Sequence, residues 1–217
     1  MKRPYITIKF AETMDGKIAA LDGSSGWISS LESRKFAHRL RRENDAVLVG
    51  AQTVIKDNPF LTTRLVKGKN PIRIVVDGKL RITGTSNIVK LAKKVRTIVI
   101  TTPGRPKKKV DAFLKKGVQF IFLKALREST IDLKEIIRIL YKKGIKKILV
   151  EGGANIIAGF LKRRLADKII IVLSPKILGK GVESVGNLGI KNIKKALKLR
   201  VKSVRFVSGD LICTAFL

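Results

Sequence analysis

Short apolar runs recur along the chain and alternate with polar segments rich in lysine and glycine. β-branched and aromatic residues fill many of these runs, which is typical of buried strands. The strands predicted from this pattern are Tyr5–Phe10, Ala46–Val49, Ile72–Val76, Arg96–Thr101, Val118–Leu123 and Lys147–Val150. Since most of them are apolar at consecutive positions, they predict a mainly parallel sheet covered on both faces.

Helical patterns lie between the runs. A polar loop is predicted from about Thr13 to Ile28. A helix follows, with Ser29 or Ser30 as its N-cap and its end at Arg42. The clearest helix has an apolar stripe at helical spacing, an N-cap and a terminating glycine: Leu133, Ile136, Ile137, Leu140, Asp132 and Gly144. Strands that alternate with helices indicate an α/β fold.

The last segment follows a different pattern. From Lys198 to Leu217 apolar and polar residues alternate around a turn at Ser208-Gly209-Asp210, which predicts an antiparallel hairpin. No internal repeat, low-complexity tract or clear linker interrupts the sequence. We therefore expect residues 1–217 to form one domain.

The chain is strongly basic. It has 47 Lys and Arg against 16 Asp and Glu, a formal net charge of +31. Such a charge attracts polyanions, so a nucleic-acid-binding protein is an alternative from a different functional class. The cations, however, are spread over the whole chain, and aromatic residues make up only 6% and are scattered. The pattern favours a soluble fold with a lysine-rich surface, which binds nucleic acid only non-specifically through its charge.

Histidine and cysteine are too scarce for several kinds of catalytic site. The one cysteine, Cys213, excludes an internal disulfide, and with the one histidine, His38, it excludes a His/Cys zinc site and the zinc-deaminase motif. His38 is predicted on a helix surface among cations, and no P-loop motif is present. A cofactor must therefore supply any chemistry. We expect no bound metal, a cytoplasmic location and, from the abundant Lys and Ile and few Gln, a thermophilic source.

Three predicted strand ends carry residues suited to a ligand. After Gly50, Thr53 and Asp57 are four apart and would share one helix face. After Asp77-Gly78 come Lys79 and Arg81, which would meet a phosphate or solvate a loop. Glu151-Gly152-Gly153 follows a predicted strand and precedes another apolar run. This pattern is typical of a turn that binds a ligand, and also of an ordinary tight turn between a strand and a helix.

Taken in order, seven segments resemble the reductase family of riboflavin biosynthesis, which includes the C-terminal half of the bifunctional deaminase-reductase. They are Met14-Asp15-Gly16-Lys17-Ile18-Ala19, Ser25-Gly26-Trp27-Ile28-Ser29, Arg41 with Asp45–Gly50, Thr53–Thr62, Pro71–Asp77, Glu151-Gly152-Gly153 and Ser174–Gly179. The resemblance covers nearly the whole chain. It implies a dihydrofolate-reductase-like fold, a homodimer and NADPH as hydride donor, with NADH left open.

The family resemblance also implies a substrate and its site. The substrate is 2,5-diamino-6-ribosylamino-4(3H)-pyrimidinone 5′-phosphate, whose ribosyl group is reduced to ribityl through a ring-opened imine; whether a deaminated form is preferred stays open. Residues implied to face the cofactor are Trp27, Thr53, Asp57, Gly78, Lys79, Leu80, Arg81, Gly152, Gly153, Ala154 and Asn155. Residues implied to face the substrate are Ser25, Arg41, Leu61, Arg64 and Glu151, and Glu151 is also the candidate catalytic residue.

A reductase of the same fold that acts on a pterin or folate is the nearest alternative. Such a pocket requires a buried carboxylate in the opening third of the chain, for which Asp15 and Glu12 are candidates. Arg41 and Arg64 favour a phosphorylated substrate instead, because arginine forks suit phosphate oxygens.

Overall fold

The computed structural model describes residues 2–24, 26, 28–127 and 130–217. Its strands are β1 (Tyr5–Thr13), β2 (Lys17–Ala19), β3 (Ala46–Gly50), β4 (Ile72–Val76), β5 (Thr97–Thr101), β6 (Val118–Phe122), β7 (Ala125–Arg127), β8 (Thr130–Ile131), β9 (Lys147–Val150), β10 (Lys168–Ser174), β11 (Val182–Glu183), β12 (Arg200–Val207) and β13 (Asp210–Phe216). Its helices are α1 (Leu31–Glu43), α2 (Ala51–Asp57), α3 (Asn87–Lys90), α4 (Lys107–Lys115), α5 (Leu133–Lys142) and α6 (Ala154–Lys162), with a 3-10 turn at Ile193–Lys195.

One nine-stranded sheet holds the molecule together, in the order β12-β13-β10-β1-β9-β3-β4-β5-β6. The strands from β10 to β6 are parallel to their neighbours, whereas β13 is antiparallel to β10 and β12 is antiparallel to β13. This arrangement confirms the predicted α/β fold with a mostly parallel sheet and a C-terminal antiparallel hairpin.

The continuous apolar strands are buried on both faces, as expected. In β3, Ala46 and Leu48 pack in a cluster with α5 and α6, while Val47 and Val49 pack in a second cluster with α2, α3 and α4. Helix α1 covers the same face as α2, towards β10 and β13, where Leu40 contacts a small third cluster. The carboxyl ends of the parallel strands are left between these layers, which is where ligands bind in open α/β sheets.

The helix ends follow the local sequence. Ser30 caps α1 by accepting a hydrogen bond from the backbone N–H of Ser33, and Asp132 caps α5 by accepting from Lys134. Both caps were predicted. Strands β2 and β10 were not among the predicted strands; β2 is only three residues long and depends on pairing with the distant β11.

The described residues lack two further features. None of their helices has the length and apolar character that spanning a bilayer requires. They also contain no group of three or more His, Cys, Asp and Glu side chains arranged to hold a metal ion.

Candidate active site

A cleft of about 700 Å³ opens at the carboxyl ends of β1, β3 and β9. Eight of the residues predicted to bind ligands line it. They are Thr53, Asp57, Arg81, Glu151, Gly152, Gly153, Ala154 and Asn155. The fold therefore brings together residues from three strand ends that are far apart in the sequence.

A glycine turn forms one wall of the cleft. Gly152 and Gly153 have φ angles of 143° and 81°, which side chains other than glycine rarely adopt. The Thr53 Oγ1 atom lies 3.5 Å from the position that a Cβ atom would take at either glycine. Helix α6 starts directly after the turn, and its first N–H groups have no partner within the helix. The wall thus presents bare backbone and the positive end of a helix dipole.

Glu151, which lines the cleft, forms a buried ion pair with Arg41. The Arg41 Nε donates to Glu151 Oε1 at 2.7 Å, and its Nη2 donates to Oε2 at 2.6 Å. Both side chains are nearly buried, at 7% and 12% exposure for Glu151 and Arg41. Burial alone would raise the pKa of Glu151, but Arg41, by its charge and its hydrogen bonds, outweighs that effect and lowers the pKa. Glu151 is therefore an ionised acceptor at neutral pH.

His38 was predicted on the helix surface, and this prediction is wrong. The side chain is 3% exposed and lies between α1 and the segment after Leu61. Its Nδ1 accepts from the backbone N–H of Leu65 at 3.2 Å, and its Nε2 lies 3.3 Å from Arg41 Nη1. Burial, with the charges of Arg41 and Arg64, lowers the pKa of His38 to about 4, so the ring is neutral at neutral pH. The charged neighbours in the sequence suggested exposure, but one of them, Arg41, is itself nearly buried on the same face of the helix.

Lys9 lines the cleft and was missed by the sequence analysis. Ile8 pairs with Val150 across β1 and β9, so Lys9 and Glu151, each one residue further, are neighbours on the face opposite the Ile8 and Val150 side chains. Burial lowers the pKa of Lys9, with a further contribution from Arg41 and partial opposition from Glu151. No described residue accepts a hydrogen bond from its ammonium group. A lysine between Ile8 and Phe10 in a strand buried on both faces was the available signal.

Arg34 is a second missed residue of the cleft. It lies on the same face of α1 as His38 and Arg41, at intervals of four and three residues. The pKa of Arg64 is lowered mainly by burial and further by the charges of Arg41 and Arg34. The three guanidinium groups are therefore close in space. Arg41 is neutralised by Glu151, whereas Arg64 is exposed and lies over the Phe60 ring at 5.2 Å. The cluster is a region of positive potential beside the cleft.

The loop after β4 supplies Arg81 to the cleft. Asp77 is 1% exposed; its backbone carbonyl accepts from Leu80 N–H, and its Oδ2 accepts from Ile82 N–H. Arg81 Nε lies 3.9 Å from Asp77 Oδ1. The Gly78 carbonyl accepts from the hydroxyl groups of Thr101 and Thr102. These bonds fix a loop from which the Arg81 side chain projects.

The remaining predicted residues lie near the cleft without lining it. Gly78 and Lys79 belong to the β4 loop, but the Leu80 side chain is 2% exposed and packs in the core. Leu61 is 3% exposed and packs in the same cluster. The side chains of Leu61 and Leu80 therefore cannot contact a ligand in the cleft. Ser25 and Trp27 lie outside the described residues.

The carboxylates required by the pterin alternative have other contacts. Asp15 accepts from Thr13 Oγ1 and from the backbone N–H groups of Leu178 and Gly179, and these bonds lower its pKa to about 2. Asp15 therefore joins two loops, and neither it nor Glu12 is among the residues lining the cleft. The buried carboxylate of the cleft is Glu151, from the last third of the chain.

Comparison with known proteins identifies the family of this chain. The family model described as the RibD C-terminal domain matches residues 4–213. The chain belongs to this family. Among curated relatives, a 2,5-diamino-6-ribosylamino-4(3H)-pyrimidinone 5′-phosphate reductase of Aquifex aeolicus is 36% identical over 220 residues, covering 99% of this chain and 96% of the relative. The resemblance predicted from the sequence is confirmed.

Other members of the RibD C-terminal domain family are longer. Riboflavin biosynthesis protein RibD of Aquifex aeolicus is 44% identical over 97% of this chain, and the match covers 57% of the relative. A solved deaminase/reductase of Thermotoga maritima is 32% identical with a TM-score of 0.83, covering 99% of this chain and 57% of that one. This chain thus spans somewhat more than half the length of these relatives.

The fold extends to a fungal structure. The riboflavin biosynthesis reductase Rib7 of Saccharomyces cerevisiae has a TM-score of 0.76 at 24% identity, covering 100% of this chain and 90% of that one. At this identity the likeness concerns the fold alone. The architecture expected from the resemblance, of the dihydrofolate-reductase type, is confirmed.

Proposed function

We propose that this protein is an oxidoreductase of riboflavin biosynthesis that uses NADPH. Its substrate is 2,5-diamino-6-ribosylamino-4(3H)-pyrimidinone 5′-phosphate or the deaminated form, and its product carries a ribityl in place of the ribosyl group. One observation carries the proposal: the glycine turn and Glu151, which Arg41 holds by an ion pair, line the same cleft. A turn suited to a dinucleotide and a buried carboxylate suited to a pyrimidine then meet in one place.

The residues present fit a pyridine nucleotide. Gly152 and Gly153 allow close approach of a pyrophosphate, and the first N–H groups of α6 would hold it. Thr53 and Asp57, one helical turn apart in α2, would bind ribose hydroxyl groups or the carboxamide. When bound, the dihydronicotinamide supplies a hydride.

The preference for NADPH over NADH follows from the β4 loop. Arg81 lines the cleft, and Lys79 is exposed two residues before it. A 2′-phosphate on the adenosine ribose requires such cations, whereas a free 2′-hydroxyl does not. We expect Arg81→Ala to raise the KM for NADPH at least tenfold and to leave the KM for NADH within about twofold, since one charge-assisted hydrogen bond contributes about 1.5–3 kcal/mol.

The other half of the cleft suits a phosphorylated pyrimidine. Arg34 and Arg64 provide positive charge for the 5′-phosphate, while Arg41 is occupied by Glu151. The Glu151 carboxylate would accept hydrogen bonds from the pyrimidine N–H groups. Lys9 would donate one to a pyrimidine oxygen or to the opened ribose, since no described residue takes up its ammonium group.

The main task of the protein in this reaction is to align the hydride donor with the C1′ atom of the substrate. When the N-glycoside opens, the C1′–O4′ electron pair goes to the ring oxygen, which takes up a proton, and a C1′=N iminium remains. Hydride addition at C1′ gives the secondary amine, so one hydride and one proton are consumed. The lowered pKa of Glu151 supports its role as the acceptor that orients the pyrimidine rather than as the proton donor.

An activity assay tests the proposal. Purified protein with NADPH and the ribosylaminopyrimidine phosphate should lose absorbance at the cofactor band and yield the ribitylamino product. Turnover of dihydrofolate without turnover of the ribosyl compound would overturn the proposal in favour of a pterin-type reductase. A protein that turns over neither compound but binds RNA with sequence preference at about 200 mM salt would point to the nucleic-acid alternative.

We further propose a cytoplasmic homodimer of one domain, residues 1–217, from a thermophilic source. The single cysteine supports a reducing compartment, and the lysine-rich composition supports the source.

A further inference from the structure

The amino ends of the parallel strands form a second surface, at the opposite end of the sheet from the candidate active site. Strands β10, β1, β9, β3, β4, β5 and β6 are parallel to their neighbours, so the segments that precede them meet at one end. The backbone N–H of Ile72 donates to the Asp45 carbonyl, and that of Arg73 donates to the Arg96 carbonyl, which places these segments side by side. We call the surface formed by residues 42–45, 67–72, 93–96 and 142–147 the basic end of the sheet.

The charges at this end are almost all positive. In the segments 67–71, 93–96 and 142–146, which precede β4, β5 and β9, every charged residue is a lysine or an arginine. The segment before β10 contains Asp167, but this carboxylate forms an ion pair with Arg3 at 2.6 Å. The lysine-rich composition is therefore not spread evenly over the fold, because the carboxyl ends of the strands carry many of the acidic residues.

A groove of about 390 Å³ lies in the basic end of the sheet. Its cationic lining residues come from four separate segments and are Arg42, Lys69, Arg96 and Lys143. Asp45 also lines the groove, but its Oδ2 atom accepts hydrogen bonds from the backbone N–H groups of Lys146 and Lys147 at 2.7 and 2.8 Å. The fold thus directs four cations and one engaged carboxylate to one groove.

The cations of the groove are weakly engaged within the protein. Among the described residues, none forms an ion pair with Lys69 or Lys143 or accepts a hydrogen bond from their ammonium groups. Arg42 lies 3.9 Å from the Glu43 carboxylate, at the limit of an ion pair, and Arg96 donates one hydrogen bond to a glutamine of β6. Most of their hydrogen-bond donors are therefore available to an anion.

Helix dipoles account for only part of this cluster. Helix α1 ends at Glu43 and α5 ends at Lys142, so Arg42 and Lys143 lie where cations stabilise a helix C-terminus. Lys69 and Arg96 lie instead in the loops before β4 and β5. Their positive charge faces the same groove without a helix terminus of its own, and like charges in one groove repel each other unless an anion lies between them.

The shape of the basic end favours an extended anion. Seven parallel strands that are about 4.8 Å apart give it a length of about 29 Å. Along one strand of a nucleic-acid duplex, with about 3.4 Å per nucleotide, this length corresponds to about eight phosphate groups. The groove offers little to a lipid surface, because its two apolar residues, Ile72 and Ile145, are half-buried and buried. No aromatic side chain lines it for base stacking.

We propose that the basic end of the sheet binds the phosphate backbone of a nucleic acid, without sequence preference. Arg42, Lys69, Arg96 and Lys143 contact phosphate oxygens in the groove, and the neighbouring lysines extend the contact along the strand ends. Phosphate contacts carry no sequence information, which agrees with a groove that has cations and no stacking platform. The five residues of β3 separate the groove from the cleft by about 16 Å, so a nucleic acid bound here leaves the cleft open.

Fluorescence anisotropy with labelled single-stranded RNA and with DNA of the same sequence tests the proposal on the full chain. With four phosphate contacts, the logarithm of the binding constant should fall with the logarithm of the salt concentration with a slope of about −2.8. The Kd should then rise about 50-fold between about 50 and 200 mM salt. A second RNA of equal length and different sequence should bind with a Kd within about threefold of the first.

The variant Lys69→Gln/Lys143→Gln removes two of the four contacts. Its Kd for the RNA at low salt should rise at least tenfold, and the slope should fall to about −1.4. Lys107→Gln/Lys108→Gln is the matched control, because it removes the same net charge from exposed positions in the first turn of α4, beyond the carboxyl end of β5. The control should keep the wild-type slope and a Kd within about twofold.

The proposal is independent of the reductase activity, since its test uses no cofactor or substrate of that reaction. Far-UV circular dichroism of the two double variants should match the wild type, because all four substituted residues are exposed. Reductase kinetics should also be unchanged in Lys69→Gln/Lys143→Gln.

Four outcomes would overturn the proposal. The wild type could fail to bind RNA and DNA at low salt, or both double variants could lose affinity equally, which would assign binding to the overall charge. Displacement of the RNA by inorganic phosphate at an equal concentration of phosphate groups would make the groove a site for a single small anion. Sedimentation with phosphatidylglycerol vesicles that depends on Lys69 and Lys143, without nucleic-acid binding, would assign the surface to a membrane.

Discussion

The Arg41 guanidinium holds the Glu151 carboxylate by two parallel hydrogen bonds, 2.7 and 2.6 Å long. The third nitrogen of the same guanidinium donates to the Thr62 carbonyl at 3.0 Å. Arg41 therefore links α1, the segment after Leu61 and the end of β9. An arginine so engaged positions the carboxylate, and the proposed phosphate site then consists of Arg34 and Arg64.

Glu151→Gln should lower kcat/KM for the ribosyl substrate about 100-fold, because a charge-assisted acceptor for the pyrimidine is lost. It should also lower the free energy of unfolding by about 3 kcal/mol, since Arg41 becomes a buried cation without a counter-ion. Steady-state kinetics and urea denaturation measure the two effects.

The double variant Arg41→Gln/Glu151→Gln separates the two effects. It removes the unpaired cation and should regain most of the lost stability, while activity stays low. If activity returned together with stability, Glu151 would have only a structural role.

Gly153→Ala should raise the Kd for NADPH at least tenfold, measured by fluorescence titration without substrate. The added methyl group would stand 3.5 Å from the Thr53 Oγ1 atom, at the wall of the proposed cofactor site, and φ at this position is 81°. Gly104→Ala is the matched control: its φ is 75°, but no heavy atom lies within 4 Å of the added carbon. Each variant should lose about 1 kcal/mol of stability. Equal cofactor affinity in both variants would contradict the assignment of the turn.

Arg73→Met should lower the free energy of unfolding by about 3 kcal/mol or more. The Arg73 side chain is fully buried and donates to Thr97 Oγ1 and to the backbone carbonyls of Phe60, Ile88 and Val95. Burial lowers its pKa to about 10, and it has no acidic partner among the described residues. Its removal leaves buried carbonyl groups without a donor.

The neighbouring Arg96 provides the comparison for Arg73. It is exposed, and Gln119 is the one described residue to which its side chain donates, so Arg96→Met should change stability by no more than about 0.5 kcal/mol. Urea denaturation of the two variants side by side measures the difference. Similar losses of unfolding free energy in the two variants would show that the buried hydrogen bonds of Arg73 contribute little to stability.

His38 should make stability depend on pH in the acid range. Its pKa of about 4 in the folded protein lies below the value of about 6.5 in an unfolded chain. Between these values the unfolded chain binds the proton and the folded protein does not, so the free energy of unfolding falls as pH is lowered from about 6.5 to about 4. His38→Gln should show a shallower slope in this window only. Parallel curves would contradict a buried neutral histidine.

The regular elements were largely readable from the sequence, because local pattern and burial agree there. The stripe from Leu133 to Leu140 predicts α5, and the continuous apolar run Ala46–Val49 predicts a strand buried on both faces. The three strand ends that carry Thr53, Asp77 and Glu151 were predicted to hold ligand-binding residues, and the parallel sheet brings them to one edge.

The errors concern residues whose surroundings come from distant segments. His38 has cationic neighbours in the chain, but its side chain is buried, where it accepts a hydrogen bond from the backbone N–H of Leu65. In the sequence, Lys9 is only one polar position of the first strand. In the structure, the pairing of Ile8 with Val150 places Lys9 beside Glu151. Arg34, His38 and Arg41 have the spacing of one helix face, and that signal was available.

The pairing of β1 with β9 has a consequence for how activity arises during folding. Lys9 and Glu151 lie far apart in the chain and become neighbours only when these two central strands pair. Contacts between such distant segments are slow to form, because the entropy of closing a long loop opposes them. No fragment that lacks either strand has a complete cleft. Recovery of NADPH binding during refolding should therefore coincide with the last kinetic phase of tertiary-structure formation. NADPH binding would then report that the central strands have paired.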